Sequence, residues 1–237
     1  MVVTDQLIVA LDVSTSAEAQ RIVQAVGPSA SIFKVGKQLF TAEGPQVVRD
    51  LVGSGRKVFL DLKFHDIPNT VGAAAKAAAQ LNVTMFTVHA AGGAAMLRAA
   101  VEGAAGGPQV LAVTVLTSFV DEDLHQIGVS GRVIDQALRL AQLAKLNGCS
   151  GIISSPKEVR QLRQALGTGF TIVTPGVRPA GSAAGDQARV DTPQAAIAAG
   201  ADYVVVGRPI TAAPDPGAAA RAIAEQIAGA AEPVSRF

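Results

Sequence analysis

A chain of 237 residues with 49% hydrophobic content can bury a full core, and α/β barrels of about 250 residues commonly form one domain, so a single domain spanning 1–237 is expected. Its 20 basic and 19 acidic residues leave a net charge of only +1, which excludes the broad positive field needed for a nucleic-acid backbone or an anionic membrane; any anion must be met by a local site. The lone cysteine, Cys149, excludes an internal disulfide and has no Cys or His neighbour at metal-ligand spacing.

The stretch from Met1 to Leu11 carries Asp5 and Gln6 among its apolar residues and lacks the basic start and small-residue cleavage site of a signal peptide. Charges, Gly or Pro interrupt every apolar run before it reaches bilayer length. A soluble, cytoplasmic protein is the expectation. Short β-branched runs then alternate with Ala-rich stretches along the whole chain, the pattern of βαβ units around a parallel sheet. The expected strands are Leu7–Leu11, Ser31–Val35, Lys57–Leu62, Met85–His89, Val110–Leu116, Gly151–Ser154, Thr171–Val173 and Tyr203–Val206. Eight strands are the number that closes a barrel. The expected helices are Ala17–Val26, Pro45–Gly53, Val71–Leu81, Ala94–Ala105, Val133–Leu146, Pro156–Leu166, Pro193–Ala199 and Gly217–Ala228. Ser14 and Ser16 suit the first helix cap, Pro156 and Pro193 suit first turns, and Gly53, Gly148, Gly167 and Gly200 suit helix ends. The fold class is therefore a (β/α)8 TIM barrel, with its active site expected at the C-terminal ends of the strands. The Gly- and Ser-rich segment from Pro175 to Val190 reads as a mobile lid, and the tail from Glu232 to Phe237 as frayed.

The densest polar constellation, Asp61-Leu62-Lys63-Phe64-His65-Asp66-Ile67, lies where the apolar run Val58-Phe59-Leu60 ends. Residues two apart on a strand share a face, so Asp61 and Lys63 point into the barrel mouth, with Asp66 following in the loop. An ammonium flanked by two carboxylates stays protonated and keeps both acids ionised, which suits a proton donor better than a Schiff-base nucleophile. From spacing alone, a structural ion-pair network at a strand end is an equally good reading. Asp12, after Ile8-Val9-Ala10-Leu11, and Lys34, in Phe33-Lys34-Val35-Gly36, bring charges to the same rim. Singly these would be a helix cap and a snorkelling lysine, but three consecutive strands delivering charge together favour a site.

At the far end, Thr174-Pro175-Gly176-Val177-Arg178 and Val206-Gly207-Arg208-Pro209-Ile210 follow strands seven and eight, where barrels hold phosphate. Glycine admits an anion close to the backbone and arginine offers a planar fork for two oxygens, although either segment alone would pass for an ordinary turn. Thr117 and Ser118, at the end of strand five, have hydroxyls able to read a base edge or simply to cap the strand. His65, His89 and His125 show no metal-ligand spacing, so His89 reads as a hydrogen-bonded strand-end residue and His65 as a structural loop residue.

The segment Asp61 to Ile67, continued as Pro68-Asn69-Thr70, resembles the D-x-K-x-x-D-I signature of orotidine 5'-phosphate decarboxylases. The resemblance runs in order through Leu11-Asp12-Val13, Phe33-Lys34-Val35-Gly36, Thr87-Val88-His89-Ala90, Leu116-Thr117-Ser118, the two arginine-bearing turns and Gly185-Asp186-Gln187. The Phe64-His65 pair is similar to the shorter bacterial group of that family, and 179–184 is individual to this chain.

The resemblance implies a cofactor-free decarboxylation of orotidine 5'-monophosphate to uridine 5'-monophosphate, the last step of de novo pyrimidine nucleotide synthesis, with no metal. Lys63 would protonate C6 as CO2 leaves, with Asp61 beside the scissile carboxylate. Asp12 and Lys34 would hold the ribose, Thr117 and Ser118 the pyrimidine, and Gln187 would bridge base and phosphate. Arg178, Gly207 and Arg208 would surround the phosphate. Asp66 and Thr70 would reach into the neighbouring subunit's site, making the partner a second copy of the chain in a homodimer. One rival is a metal-dependent sugar-phosphate decarboxylase or aldolase of the same barrel superfamily, which would need a further acidic ligand near the rim where Lys34 stands. The other is a barrel that binds a phosphorylated ligand without reaction.

Overall fold

The computed structural model describes residues 5–179 and 191–231. Eight parallel strands close into a barrel in chain order: β1 Leu7–Ala10, β2 Ile32–Gly36, β3 Lys57–Phe64, β4 Met85–His89, β5 Gln109–Val113, β6 Gly151–Ile153, β7 Thr171–Thr174 and β8 Tyr203–Val206. The last strand returns to the first with Ile8 opposite Val205, so no edge remains to pair with another chain. Alternation divides each strand between two layers. Ile8, Ile32, Phe59, Met85, Leu111 and Val173 fill the barrel interior, while Leu7, Val9, Phe33, Leu60 and Phe86 join the larger core between sheet and helices.

Among the described residues the outer layer consists of α1 Ser16–Val26, α2 Lys37–Glu43, α3 Gln46–Gly53, α4 Pro68–Gln80, α5 Gly93–Ala104, α6 Asp121–Gln126, α7 Val133–Leu146, α8 Val159–Leu166, α9 Pro193–Ala198, α10 Arg208–Thr211 and α11 Pro216–Ala231. All eight expected strands and eight expected helices are present, with ends shifted by a few residues. Additions are α2, α6 and α10. The first helix is capped by Thr15, whose hydroxyl accepts from Glu18 N at 3.3 Å, rather than by Ser14 or Ser16. Pro193 does open α9, behind a Thr192 cap, but α8 starts at Val159 and leaves Pro156 in the preceding turn.

Small residues let helices approach closely. A Cβ on Gly103 of α5 would stand 2.3 Å from Gly72 O of α4, so this crossing needs a bare backbone. Cys149 is buried, and burial pushes its thiol up to about 12, which leaves it an unreactive core residue. No helix among the described residues is long and apolar enough to cross a membrane.

β3 departs from a regular ladder where the site begins. Leu60 pairs with Phe86 but Phe64 pairs with Val88, four steps on β3 against two on β4. An even number of extra residues keeps the alternation intact: Leu62 and Phe64 still pack against the helix-side core. Lys63 absorbs the slip with φ +54°, a left-handed conformation unusual for a residue bearing a side chain.

Candidate active site

A cavity of about 500 Å³ opens at the C-terminal ends of the strands. Asp12 after β1, Lys34 on β2, and Asp61 and Lys63 on β3 form one wall. Thr117 comes from the β5 loop, Arg178 from the loop after β7, Gly207 from the turn after β8 and Arg208 from the start of α10. Those eight residues, singled out from sequence on six separate stretches, converge on a single space. Its size suits a small-molecule ligand.

Along the first wall the charges alternate. Lys34 Nζ lies 2.8 Å from Asp12 Oδ1 and 3.7 Å from Asp61 Oδ2, and Lys63 Nζ lies 2.7 Å from Asp61 Oδ1. Burial alone would push the Asp61 carboxyl up. The positive charges of Lys34 and Lys63, with hydrogen bonds from Lys63 and Thr87, outweigh that penalty and hold it below the usual carboxylate value. Asp61 thus lies between two ammonium groups that favour its ionised form.

Asp66, the second carboxylate expected at Lys63, does not reach it. Asp66 and Thr70 are exposed, outside the cavity lining, and the Asp66 carboxylate accepts from Ile67 N at 2.6 Å. Ser118 is also exposed and does not line the cavity. Gln187, and with it 180–190 of the expected lid, lies outside the described residues. On either side of that segment the chain is joined by a parallel bridge between Val177 and Asp191, with Arg178 N donating to Asp191 O at 2.9 Å. This bridge places Arg178 at the cavity.

Two polar residues near the charges gave little signal in sequence. Gln38 lines the cavity from α2 and donates from Nε2 to Ser14 Oγ at 3.1 Å. Thr87, fully buried on β4, donates to Asp61 Oδ1 at 2.9 Å and accepts from Lys63 N at 2.9 Å. Among the described residues no hydrogen bond holds the His89 ring, where one was expected. Among the described residues its ring has a stacking neighbour, His65, at 5.3 Å between centroids. Burial, with His65, Lys63 and Lys37 nearby, lowers its pKa to about 4, so the ring is neutral at physiological pH. No three His, Cys, Asp or Glu side chains among the described residues gather in a metal-holding group.

Residues 5–223 match the model of the Orotidine 5'-phosphate decarboxylase / HUMPS family. The chain belongs to that family. It is 55% identical over 221 residues to the orotidine 5'-phosphate decarboxylase of Anaeromyxobacter dehalogenans, covering 93% of this chain and 97% of the relative. To the Heliobacterium modesticaldum protein of the same name it is 53% identical over 233 residues, covering 94% and 96%. Among solved structures it is similar to the orotidine 5'-phosphate decarboxylase of Lactobacillus acidophilus, with TM-score 0.84, 42% identity, and coverage of 94% of this chain and 99% of the other.

Proposed function

We propose that Lys63 delivers the proton to C6 of the pyrimidine as orotidine 5'-monophosphate loses CO2 to become uridine 5'-monophosphate, the decarboxylation that family membership assigns to this chain. The observation that carries this reading is the alternating array of Asp12, Lys34, Asp61 and Lys63 along one wall of a cavity that Arg178 and Arg208 also line. When CO2 departs, the bonding electron pair stays on C6. An ammonium fixed beside that carbon stabilises the pair as it forms and then gives up a proton to it, leaving a neutral amine that solvent recharges.

Asp61 contributes in two ways. It aims the ammonium, and its fixed negative charge faces the substrate carboxylate, an opposition relieved only as that carboxylate becomes neutral CO2. Asp12 and Lys34 suit the ribose hydroxyls and Thr117 the pyrimidine edge, whereas the exposed Ser118 does not line the cavity, and the family resemblance assigns Gln187 the span from base to phosphate. Arg178, Gly207 and Arg208 suit the phosphate, since guanidinium forks pair with two oxygens at once. Enzymes commonly lower barriers by about 8–23 kcal/mol, more than one ion pair at a wet surface supplies, so phosphate binding far from C6 must help close and dry the cavity.

Asp66 and Thr70 are assigned to the neighbouring subunit's cavity in a homodimer, with the exposed Ile67 between them packed at the interface. Ile67 is 66% exposed in the single chain, an unusual position for a large apolar side chain. Mixing Lys63→Ala and Asp66→Asn chains, each inactive alone, is expected to restore turnover through hybrid dimers with one intact site; no recovery on mixing would place Asp66 elsewhere. We take the chain as one domain and, given a nucleotide substrate and a lone buried thiol, as cytoplasmic.

The reaction is tested by following loss of orotidine 5'-monophosphate by absorbance, with and without a chelator. Equal rates in both are expected. Activity abolished by chelator and restored by magnesium would transfer the assignment to metal-dependent chemistry.

A further inference from the structure

Thr87 ties the two working groups of β3 into a closed ring. A threonine hydroxyl has one proton to give and lone pairs to accept with. Here the proton goes to Asp61 Oδ1 at 2.9 Å, while the oxygen accepts Lys63 N–H at 2.9 Å. The same Asp61 Oδ1 accepts from Lys63 Nζ at 2.7 Å. The ring therefore runs from the Lys63 backbone through Thr87 and Asp61 back to the Lys63 ammonium.

Its position makes the hydroxyl hard to replace. Thr87 is fully buried and on the inward face of β4 with Met85, and it is absent from the cavity lining. Lys63 sits at the slip in the β3–β4 register and in a left-handed conformation, so its N–H is offered to a side chain. A hydrocarbon in Thr87's place would leave that N–H with no acceptor and Asp61 with one donor fewer.

We infer that Thr87 is a positioning residue for catalysis, whose one hydroxyl locks the Lys63 backbone and the Asp61 carboxylate to each other so that the ammonium meets the substrate from a fixed point. The inference rests on the role proposed above for Lys63. It assigns Thr87 no contact with the nucleotide. Its effect belongs to the chemical step, since the groups suited to ribose and phosphate are attached elsewhere.

The test compares Thr87→Val, which keeps the shape and removes the hydroxyl, with Thr87→Ser, which keeps the hydroxyl, and Lys63→Ala as reference. Steady-state kinetics are taken across pH, and thermal unfolding counts the folded fraction. Thr87→Val is expected to lower kcat by about 10- to 100-fold with KM within about 3-fold of the parent. The acid limb of its kcat profile moves to higher pH, because Asp61 has lost a donor that favours its charged form. Thr87→Ser recovers most of the rate. A folded valine variant with kcat within about 3-fold of the parent overturns the inference, as does a serine variant no better than valine, or equal losses in kcat and KM with an unmoved acid limb. If Lys63→Ala itself turned over normally, the Lys63 assignment would fail; an inert Lys63→Ala beside a normal Thr87→Val sinks only the role of Thr87.

Discussion

Lys63 Nζ stands 2.7 Å from Asp61 Oδ1, on successive inward positions of a strand that slips two residues out of register between Leu60 and Phe64. The slip adds an even number of residues, so both side chains keep the inward face, and the left-handed turn at Lys63 brings its amine back onto its own strand neighbour. With Lys34 on the other carboxylate oxygen, Asp61 is held by two cations at once.

That arrangement predicts a pH response. The pKa of Asp61 is held below its ordinary 3.8, so its contribution to stability is present in full above that value and is lost as pH falls through the lower folded-state value. Lys34→Met removes one of the two cations and raises the Asp61 pKa. The acid limb of the kcat/KM profile should then move to higher pH, with a higher KM from loss of the ribose contact proposed for Lys34. An unchanged limb in the pH profile of this variant would show that Lys34 does not set the Asp61 charge.

Gly36→Ala should separate binding from folding. A Cβ there would lie 2.8 Å from Lys34 Nζ and 3.0 Å from Asp12 Oδ1. The obstruction is the mobile tip of a lysine, so the fold can yield while the Asp12–Lys34 pair cannot keep its place. KM is expected to rise about 10-fold, with the melting temperature within a few degrees of the parent. A large fall in melting temperature with unchanged KM would contradict this.

His89 gives a second pH dependence. Its folded-state pKa of about 4 lies below the ordinary 6.5, so between those values the unfolded chain binds the extra proton. Stability is therefore complete above about pH 6.5 and declines as pH falls toward 4. With the ring partly solvated, the loss is about 1–2 kcal/mol. His89→Gln should flatten denaturant-midpoint measurements across that window, and an undiminished slope would assign the effect to other groups.

The barrel was legible because Val- and Ile-rich runs alternate with Ala-rich stretches, and a buried parallel strand can hardly be written otherwise. Charged residues ending three consecutive strands exposed the site for a similar reason: ionised groups inside a barrel mouth are costly unless they are used. The helix α2 was hidden because it starts directly from Gly36 at the end of β2, and α6 because its six residues, five of them polar, carry no helical period. Strand five was read too long at Leu116, since the ladder stops at Val113 although Thr114 and Val115 suit a strand equally well. The slip at Lys63 had no Gly or Pro to announce it. Thr87 looked like any β-branched strand residue, and its importance comes from a contact across the sheet with residues 24 and 26 positions away.

The central claim is that the Lys63 ammonium performs the chemistry while other groups hold the nucleotide. Lys63→Ala should lower kcat by at least about 1,000-fold, while calorimetric binding of uridine 5'-monophosphate, which has no carboxylate to meet, is retained. A near-normal rate of orotidine 5'-monophosphate decarboxylation in that variant, in folded protein, would contradict the account.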